Sequence, residues 1–375
     1  MILFRCDTCY QLMNAIVMKT SLYPEEEADV MLSDHSDFTG VLEPIQKQGI
    51  FRNFLTCETR EKMYAFHQLP QWKKWYFSLF PERYVGDLLG GEQYDRMYFA
   101  VASCIAKMMY YEAVKKGQHP EIGIYEDAVS TYLYDIEEIA ARDGFWHARY
   151  GSSRFIKNIR GLYLYRPELC CLLEKPYPVL QIPPVPQRGE LRDRFEKIFG
   201  TFPMPEQKYI FLEEAFPEDR YPANDVELLE LLASFVGKEQ IIVRPHPRNR
   251  MNRFEALGYS IFPKSTVPWE VMLLTNDLSE KVFVTISSNA SVTAGLLYGK
   301  ACTVIRLSRL FVGWSQLLSN KNYRHYQSLL SEHAPEYGMR IFTPASAGAL
   351  RETIRFLGGE DDGGKAPAFH SCPGL

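Results

Sequence analysis

Short apolar runs, many of them β-branched, alternate with stretches of helical spacing along most of the 375-residue chain. Such runs are typical of strands that are buried on both faces of a parallel sheet. In the first half they predict strands at residues 2–5, 29–32, 95–102, 123–125 and 162–167. In the second half they predict strands at residues 209–212, 241–243, 258–262, 281–286 and 301–305. The alternation predicts an α/β protein with two Rossmann-like halves.

A proline-rich segment separates the two halves. Residues 176–186 contain five prolines, which favour an extended chain over a helix or a central strand. We therefore expect an N-terminal domain at residues 1–175, a linker at 176–205 and a C-terminal domain at 206–345. The glycine-rich and charged residues 358–375 predict a disordered tail.

The most informative turn follows the predicted strand at residues 241–243. Pro245 and Pro247 cannot donate hydrogen bonds to a strand ladder, so we expect His246 in a stiff turn beyond the strand's carboxyl end. In open α/β sheets, ligands bind at this edge. The basic residues around the histidine favour an anion such as a phosphate; they are Arg244, Arg248 and Arg250. A turn histidine among solvated arginines is the structural alternative.

Two adjacent carboxylates, Glu126 and Asp127, follow the predicted strand at residues 123–125. One of them could act as a general base toward an acceptor hydroxyl, since the carboxyl edge of the sheet is where a substrate binds. The alternative is an acidic helix N-terminus with Ser130 and Thr131 as caps. The sequence favours neither interpretation over the other.

Two hydroxyl residues, Ser287 and Ser288, follow the predicted strand at residues 281–286 and precede a predicted helix at residues 290–298. Hydroxyl groups and free N–H groups at a helix N-terminus favour an anion. An ordinary helix cap explains one of the serines equally well. Both interpretations stay open at this point.

Residues 66–84 are rich in aromatic side chains, including Trp72 and Trp75. These side chains could form a stacking platform for a ligand. Packing between helices and loops is the more common role of such a stretch, and it is the interpretation that we favour.

The composition narrows the classes of function. Hydrophobic residues make up 46% of the chain and aromatic residues 14%, which is ample for packed cores. A net charge of −4 argues against binding to nucleic acid, and the absence of a glycine fingerprint argues against a dinucleotide-binding dehydrogenase. The eight cysteines show no ladder of metal spacings and predict reduced thiols of a cytoplasmic protein. No apolar run approaches the ~18 residues needed to cross a bilayer.

Taken in order, these elements resemble those of GT-B glycosyltransferases, and more closely those of bacterial sialyltransferases of glycosyltransferase family 52 and bacterial polysialyltransferases. These enzymes share an acidic D/E-D/E-G element, a His-Pro element and a Ser/Thr element. The matching residues here are Glu126-Asp127-Ala128, His246-Pro247 and Ser287-Ser288. Ala128 stands where the family has glycine, which leaves a close approach of the backbone in doubt at this position.

Further matches are Cys6-x-Thr8-x-x-Gln11 after the first strand and Val267-x-x-Glu270 ahead of the serine strand. Family 52 members also carry an aspartate that is taken to be the base, in a loop similar to residues 213–219. The offset from the preceding strand does not identify its counterpart here. The acidic residues that remain open are Glu214, Glu218 and Asp219.

The resemblance implies two Rossmann-like domains that face a cleft and an inverting transfer of sialic acid from CMP-sialic acid to a glycan hydroxyl. His246 would be the general acid toward the leaving phosphate, helped by Arg244 and Arg248. Ser287 and Ser288 would bind that phosphate, and a carboxylate such as Glu270 suits the ribose diol. The base would be Glu126, Asp127 or an acid of the 213–219 loop, and the resemblance implies no metal and no other cofactor.

The partners implied are a nucleotide-sugar donor and a glycan acceptor, with no nucleic acid. Peripheral contact with the inner face of the membrane and a homodimer are both compatible with this interpretation. Three rival functions stay open. They are a glycosyltransferase that uses another sugar nucleotide, a UDP-sugar epimerase of the same architecture, and a non-catalytic carbohydrate-binding protein.

Overall fold

The structure, a computed structural model, describes residues 1–142, 152–172, 176–249 and 252–359. The chain divides into two compact units, Met1–Gly200 and Thr201–Leu375. Each unit is built around one parallel β-sheet with helices in its strand connections.

The described part of the first unit contains a seven-stranded sheet. Its strands are β1 (Ile2–Cys6), β2 (Ala28–Ser33), β3 (Phe54–Cys57), β4 (Arg96–Phe99), β5 (Glu121–Tyr125), β6 (Ile159–Leu164) and β7 (Val179–Gln181). They lie in the order β3-β2-β1-β4-β5-β6-β7, and all neighbours are parallel. The order reverses direction between β1 and β4, as in a doubly wound Rossmann sheet.

Helices connect these strands. They are α1 (Cys9–Leu22), α2 (Thr39–Lys47), α3 (Arg60–Gln68), α4 (Gln71–Leu79), α5 (Glu82–Val85), α6 (Cys104–Lys115), α7 (Ser130–Leu133), α8 (Ile136–Arg142), α9 (Ser152–Lys157) and α10 (Glu190–Phe199). A 3-10 turn covers Pro167–Leu169. Thr8 caps α1 by accepting a hydrogen bond from the backbone N–H of Gln11 at 3.2 Å, which fixes where the first helix begins.

The proline-rich segment differs from the predicted linker at residues 176–205. Val179–Gln181 pairs with β6 as the edge strand β7, where prolines beside a strand cost few hydrogen bonds. Glu190–Phe199 forms α10, which packs against α2 of the same unit. The first unit therefore ends at Gly200 instead of residue 175. Residues 173–175 lie outside the described part of the chain.

The aromatic residues 66–84 form α3, α4, α5 and the turns between them. The favoured interpretation, packing, is confirmed for Phe66, which is fully buried and contacts Tyr84 at 5.6 Å between ring centroids. It is wrong for Trp72 and Trp75, which are 63% and 49% exposed. The segment therefore has a packed inner side and an aromatic outer side.

The described part of the second unit contains a six-stranded parallel sheet. Its strands are β8 (Tyr209–Leu212), β9 (Ile241–Arg244), β10 (Ser260–Ile261), β11 (Val282–Thr285), β12 (Cys302–Arg306) and β13 (Met339–Phe342). The order β10-β9-β8-β11-β12-β13 repeats the Rossmann arrangement, with its reversal between β8 and β11. The strands predicted in this half are all confirmed, and β13 is additional.

The helices of the second unit are α11 (Phe216–Asp219), α12 (Asp225–Val236), α13 (Trp269–Thr275), α14 (Thr293–Tyr298), α15 (Tyr323–His333) and α16 (Ala347–Gly358). Two 3-10 turns cover Lys238–Gln240 and Asn289–Ser291. The unit extends past the predicted limit at residue 345, because α16 packs against α12. Most of the predicted disordered tail, residues 360–375, lies outside the described residues.

Candidate functional site

The carboxyl edge of the second sheet brings three predicted elements together. The strands β9, β8 and β11 are neighbours, so the turns that follow them lie side by side. His246 follows β9, Glu213 and Glu214 follow β8, and Ser287 follows β11. Ligands bind to doubly wound sheets where the strand order reverses, which here is between β8 and β11.

His246 lies in the turn after β9. Its backbone N–H donates to Oε2 of Glu213 at 3.1 Å, and its Nδ1 accepts from the backbone N–H of Arg248 at 3.2 Å. Because Nδ1 accepts, the neutral ring carries its proton on Nε2. Burial, together with the nearby Arg248 and Arg244, lowers the pKa of His246 to about 4. At neutral pH the ring is therefore uncharged, and its Nε2–H can donate a hydrogen bond.

The three arginines around His246 have different surroundings. Arg248 forms a bidentate pair with Asp219, at 2.8 and 3.1 Å, which offsets its charge. Arg244 lies over the ring of Trp269, with Cζ 4.5 Å from the ring centroid. Burial lowers the pKa of Arg244, and it forms no ion pair with a described residue. Arg250 lies outside the described residues. Arg244 is therefore the better placed of the described pair to bind an anion.

Glu270 lies in the first turn of α13. Burial raises the pKa of Glu270, whereas the positive charge of Arg244 lowers it. The phenol of Tyr298 donates to the backbone carbonyl of Glu270 at 2.9 Å, which holds this turn in place. The two oppositely charged side chains, Arg244 and Glu270, thus belong to one region beside the His246 turn.

The Ser287–Ser288 turn already holds a carboxylate. Oε1 of Glu214 accepts from the backbone N–H groups of Ser287 at 2.6 Å and Ser288 at 3.1 Å, and from Oγ1 of Thr285 at 3.3 Å. Oε2 accepts from Oγ of Ser287 at 2.6 Å. Burial raises the pKa of Glu214, and these hydrogen bonds lower it. The donors predicted to bind a phosphate, which are the N–H groups of Ser287 and Ser288 and the Ser287 hydroxyl, therefore already bind the carboxylate of Glu214. We call this set of donors the anion cradle.

The helix after this turn is shorter than predicted. Asn289–Ser291 is a 3-10 turn, and α14 begins at Thr293 and has only six residues. The Oγ of Ser288 accepts from the backbone N–H of Ala290 at 3.4 Å, which is a capping contact. The contribution of a helix dipole is correspondingly small. The anion cradle therefore depends on the two backbone N–H groups and the Ser287 hydroxyl.

A buried ion network supports the His246 turn, and sequence reasoning missed it. Arg253 donates from Nε to Oε1 of Glu213 at 3.2 Å and pairs through its Nη atoms with Asp225. Glu213 and Asp225 are both nearly fully buried. Because Glu213 also accepts from the His246 backbone, this network holds the turn against β8 and α12.

Arg306 is a second feature that sequence reasoning missed. It ends β12, in register with Thr285 of β11, and it is 2% exposed. Its Nε and Nη2 are buried and have no hydrogen-bond partner among the described residues. Nearby, the phenol of Tyr323 donates to the carbonyl of Ser287 at 2.9 Å. A buried cation without a partner is energetically costly, so Arg306 is a candidate ligand for an anion at this edge.

In the first unit, Glu126 is held by a cage of hydrogen-bond donors. Its Oε1 accepts from the phenol of Tyr10 at 2.8 Å, and its Oε2 accepts from the phenol of Tyr132 at 2.5 Å and the backbone N–H of Tyr165 at 2.9 Å. The side chain is only 3% exposed, and burial raises the pKa of Glu126. Both oxygens of Glu126 are thus hydrogen-bonded within the protein, and the carboxylate links the end of β5 to α1, α7 and the backbone after β6.

Asp127 is more open and is linked to the predicted Cys6-x-Thr8-x-x-Gln11 element. The amide of Gln11 donates to Oδ1 of Asp127 at 2.7 Å, while its oxygen accepts from the backbone N–H of Asp7 at 2.6 Å. Oδ2 of Asp127 accepts no hydrogen bond from the described residues. Burial raises the pKa of Asp127, and the charge of Asp7 raises it further. These are properties of a general base.

The backbone around this element differs from the capping alternative, because the N-cap of α7 is Val129 and no side chain caps the helix. Thr131 accepts from the backbone N–H of Asp127 at 3.1 Å, so it closes the turn ahead of the four-residue α7. Arg220 is the one non-glycine residue with a positive φ in the described chain. Ala128 therefore has a backbone conformation that any residue adopts, and a glycine is not needed at this position.

A cluster of Asp7, Ser33 and His35 lies at the carboxyl ends of β1 and β2, and sequence reasoning missed it. The Ser33 hydroxyl donates to Oδ1 of Asp7 at 2.5 Å and lies 2.9 Å from Nδ1 of His35. Because the Ser33 proton is directed at Asp7, Nδ1 of His35 donates to Ser33 and Nε2 keeps its lone pair. That Nε2 is buried without a partner among the described residues.

Within the described ranges, no group of three or more His, Cys, Asp or Glu side chains is arranged to hold a metal ion. No described helix combines the length and the apolar character that a membrane span requires.

No protein-family model and no curated protein matches this sequence. The solved structures with a similar fold include UGT89C1 of Arabidopsis thaliana complexed with UDP-L-rhamnose, at 9% identity and a TM-score of 0.49, which covers 96% of this chain and 90% of that chain. They also include a UDP-N-acetylglucosamine 2-epimerase, at 12% identity and a TM-score of 0.47, which covers 97% of this chain and 98% of that chain.

A third similar structure is WaaG, a glycosyltransferase involved in lipopolysaccharide biosynthesis, at 12% identity and a TM-score of 0.34, which covers 95% of this chain and 90% of that chain. These likenesses concern the fold alone. The predicted fold class, α/β with two Rossmann-like domains of the GT-B type, is confirmed, because both sheets have the parallel doubly wound order.

Proposed function

We propose that this protein is a glycosyltransferase that moves sialic acid from CMP-sialic acid to a hydroxyl of an acceptor glycan. The observation that supports it most is the position of the His246 turn and the Ser287–Ser288 turn. These two turns follow β9 and β11, on either side of β8, at the edge where the strand order reverses. Two of the three ordered motifs, the His-Pro element and the Ser-Ser element, thus fall on one edge of the second unit, where ligands bind in such sheets.

On the donor side, His246 would donate from Nε2–H to an oxygen of the leaving phosphate. Its low pKa makes a full positive charge unfavourable in the free protein, because protonation of Nδ1 would also break the bond from the Arg248 N–H. A bound phosphate raises the pKa of a neighbouring imidazole, so the ring would take up a second proton from solvent on Nδ1 only once the donor is present. It would then give its Nε2 proton to the leaving phosphate and return to the neutral form. This coupling confines general-acid action to the complex.

The leaving phosphate needs further positive charge and hydrogen-bond donors. Arg244 and Arg306 are the described cations near this edge that have no carboxylate partner. The backbone N–H groups of Ser287 and Ser288 would donate to the phosphate once Glu214 is displaced from them. These groups would stabilise the charge that develops on the leaving phosphate, and we therefore propose no metal ion. Glu270 remains the proposed ligand of the ribose hydroxyls.

Among the predicted bases, Asp127 fits the chemistry best. Glu126 and Glu214 have both carboxylate oxygens bonded inside the protein, and Asp219 is paired with Arg248. Asp127 keeps Oδ2 for an acceptor hydroxyl and has a raised pKa. We therefore assign the base role to Asp127, on the acceptor side of the reaction.

The proposal is tested by a thermal-shift panel with CMP, CDP, UDP and GDP, followed by turnover of CMP-sialic acid with and without a galactoside acceptor. A ligand that binds only the folded state stabilises it by about 2.7 kcal/mol at a hundredfold excess over Kd. We expect the largest shift with CMP, and donor consumption that requires the acceptor. A shift with UDP alone would favour another sugar nucleotide or the epimerase, and consumption without acceptor would overturn transfer.

A further inference from the structure

The first unit exposes a concentrated set of large aromatic side chains. Eight large hydrophobic side chains are strongly exposed in the described residues, and four of them lie within residues 64–80. These four are Tyr64 at 57%, Trp72 at 63%, Trp75 at 49% and Phe80 at 37%. Single exposed apolar residues need no explanation, but a cluster of them marks an interaction surface.

The geometry of α4 places the two tryptophans on one outer face. Trp72 and Trp75 are three residues apart, so they are neighbours on the helix surface. Ser78 is buried, and its hydroxyl donates to the carbonyl of Lys74 at 2.6 Å. Phe77 contacts Tyr84 at 4.7 Å between ring centroids. The inner side of α4 is therefore anchored through Phe77, whereas Trp72 and Trp75 lie on its exposed side.

The charge around these rings is positive. Residues 60–85 contain five basic and two acidic residues, although the whole chain has a net charge of −4. Lys62, Lys73 and Lys74 form no ion pair with a described residue, whereas the acid Glu82 is paired with Lys115 at 3.3 Å. The surface that carries the aromatic rings is thus locally cationic in an otherwise acidic protein.

We propose that the outer face of α4, formed by Trp72, Lys73, Lys74 and Trp75, docks onto an anionic lipid bilayer. Tryptophan and tyrosine rings prefer the boundary between head groups and acyl chains, and lysines beside them attract anionic head groups. Each lysine near such a surface strengthens binding by roughly fivefold at low salt. The nine-residue α4 would lie along the membrane plane.

A lipid surface fits these residues better than a saccharide does. A sugar ring stacked on tryptophan also needs hydrogen-bond acceptors for its hydroxyls. The charged groups beside Trp72 and Trp75 are the ammonium groups of Lys73 and Lys74, which only donate and which attract anions. A bilayer needs no such acceptors, because its head groups carry the negative charge.

The inference goes beyond the proposed function and does not depend on which nucleotide sugar is used. If the acceptor is a lipid-linked glycan, docking would hold the acceptor side of the protein at the membrane. A failure of vesicle binding would leave the nucleotide panel untouched, and a failure of the panel would leave vesicle binding untouched.

The test is co-sedimentation of the full chain with two kinds of vesicle, phosphatidylcholine alone and phosphatidylcholine with about 30% phosphatidylglycerol. We expect binding to the anionic vesicles at about 50 mM salt, at least tenfold weaker binding at about 500 mM salt, and a blue shift of tryptophan fluorescence. No binding of the unmodified chain at low salt would overturn the proposal.

Three variants locate the surface. Trp72→Ser with Trp75→Ser is expected to weaken binding at least tenfold, and Lys73→Glu with Lys74→Glu to remove the preference for anionic vesicles. Val312→Ser with Trp314→Ser replaces two exposed hydrophobic residues of the second unit, at 74% and 41%, and is expected to bind like the unmodified chain. Undiminished binding by either of the first two variants, or loss of binding in the third, would overturn this assignment.

Discussion

Glu214 and Ser287 are joined by two hydrogen bonds of 2.6 Å, one from the serine N–H to Oε1 and one from the serine hydroxyl to Oε2. A carboxylate thus occupies the position in which the sequence predicted a phosphate. Two anions in one cradle repel each other, so a donor phosphate can enter only if Glu214 is displaced or protonated. Burial raises the pKa of Glu214, which makes protonation easier than for an exposed glutamate.

Glu214→Gln is therefore expected to bind CMP about tenfold more tightly, as measured by calorimetry at pH 7.5. The amide keeps an oxygen for the Ser287 and Ser288 N–H groups but removes a negative charge close to the phosphate. Glu218→Gln removes a charge from the same loop and should change the affinity by less than about twofold. Equal or weaker CMP binding by a folded Glu214→Gln protein would mean that the phosphate does not use this cradle.

His246→Ala is expected to lower turnover of CMP-sialic acid by about two orders of magnitude or more, the usual scale for loss of a general acid. The fold should persist, because the backbone N–H of residue 246 still donates to Glu213. Arg248→Ala is the matched comparison, since the Arg248 charge is already offset by Asp219, and we expect less than about a tenfold loss. Normal turnover by a folded His246→Ala protein would remove His246 from the mechanism.

The strands could be predicted from the sequence where burial dominates. Residues 241–243 are apolar on both faces, as a central parallel strand requires, and the strand Ile241–Arg244 was located correctly. Phe54–Cys57 was missed because it is a short edge strand with partly exposed residues. Val179–Gln181 was hidden by the prolines around it, which edge strands tolerate and central strands do not.

The candidate site was predicted only as far as local sequence determines it. The prolines around His246 fix a turn at a strand end, so its position followed from the chain itself. The bond from Ser287 to Glu214 joins residues 73 positions apart and depends on how β8 and β11 pair. In the sequence, Arg306 looks like any residue at the end of a strand. Only the packed structure shows that its guanidinium is buried without a partner among the described residues.

Asp127→Asn is expected to lower kcat by about two orders of magnitude with little change in the donor KM, since the amide cannot accept a proton. Glu126→Gln, an isosteric substitution at the neighbouring residue, serves as the comparison. There we expect a lower thermal midpoint, because the amide disrupts the bonds from Tyr10 and Tyr132. If Asp127→Asn retained full kcat, the base would have to be sought elsewhere, with His35 as the next candidate.

The low pKa of His246 also predicts a pH dependence of stability. Burial, with Arg248 and Arg244, lowers the pKa to about 4 in the folded protein, below the usual value near 6.5. Between these values the unfolded chain binds more protons than the folded one, so stability falls as the pH drops from about 6.5 to about 4.

His246→Asn keeps an acceptor for the Arg248 N–H, as in an Asx turn, and removes this titration. As the pH falls through this window, we expect the free energy of unfolding of the variant to rise by about 1–2 kcal/mol relative to that of the unmodified protein, as measured by urea unfolding. A constant difference between the two proteins would show that His246 titrates normally.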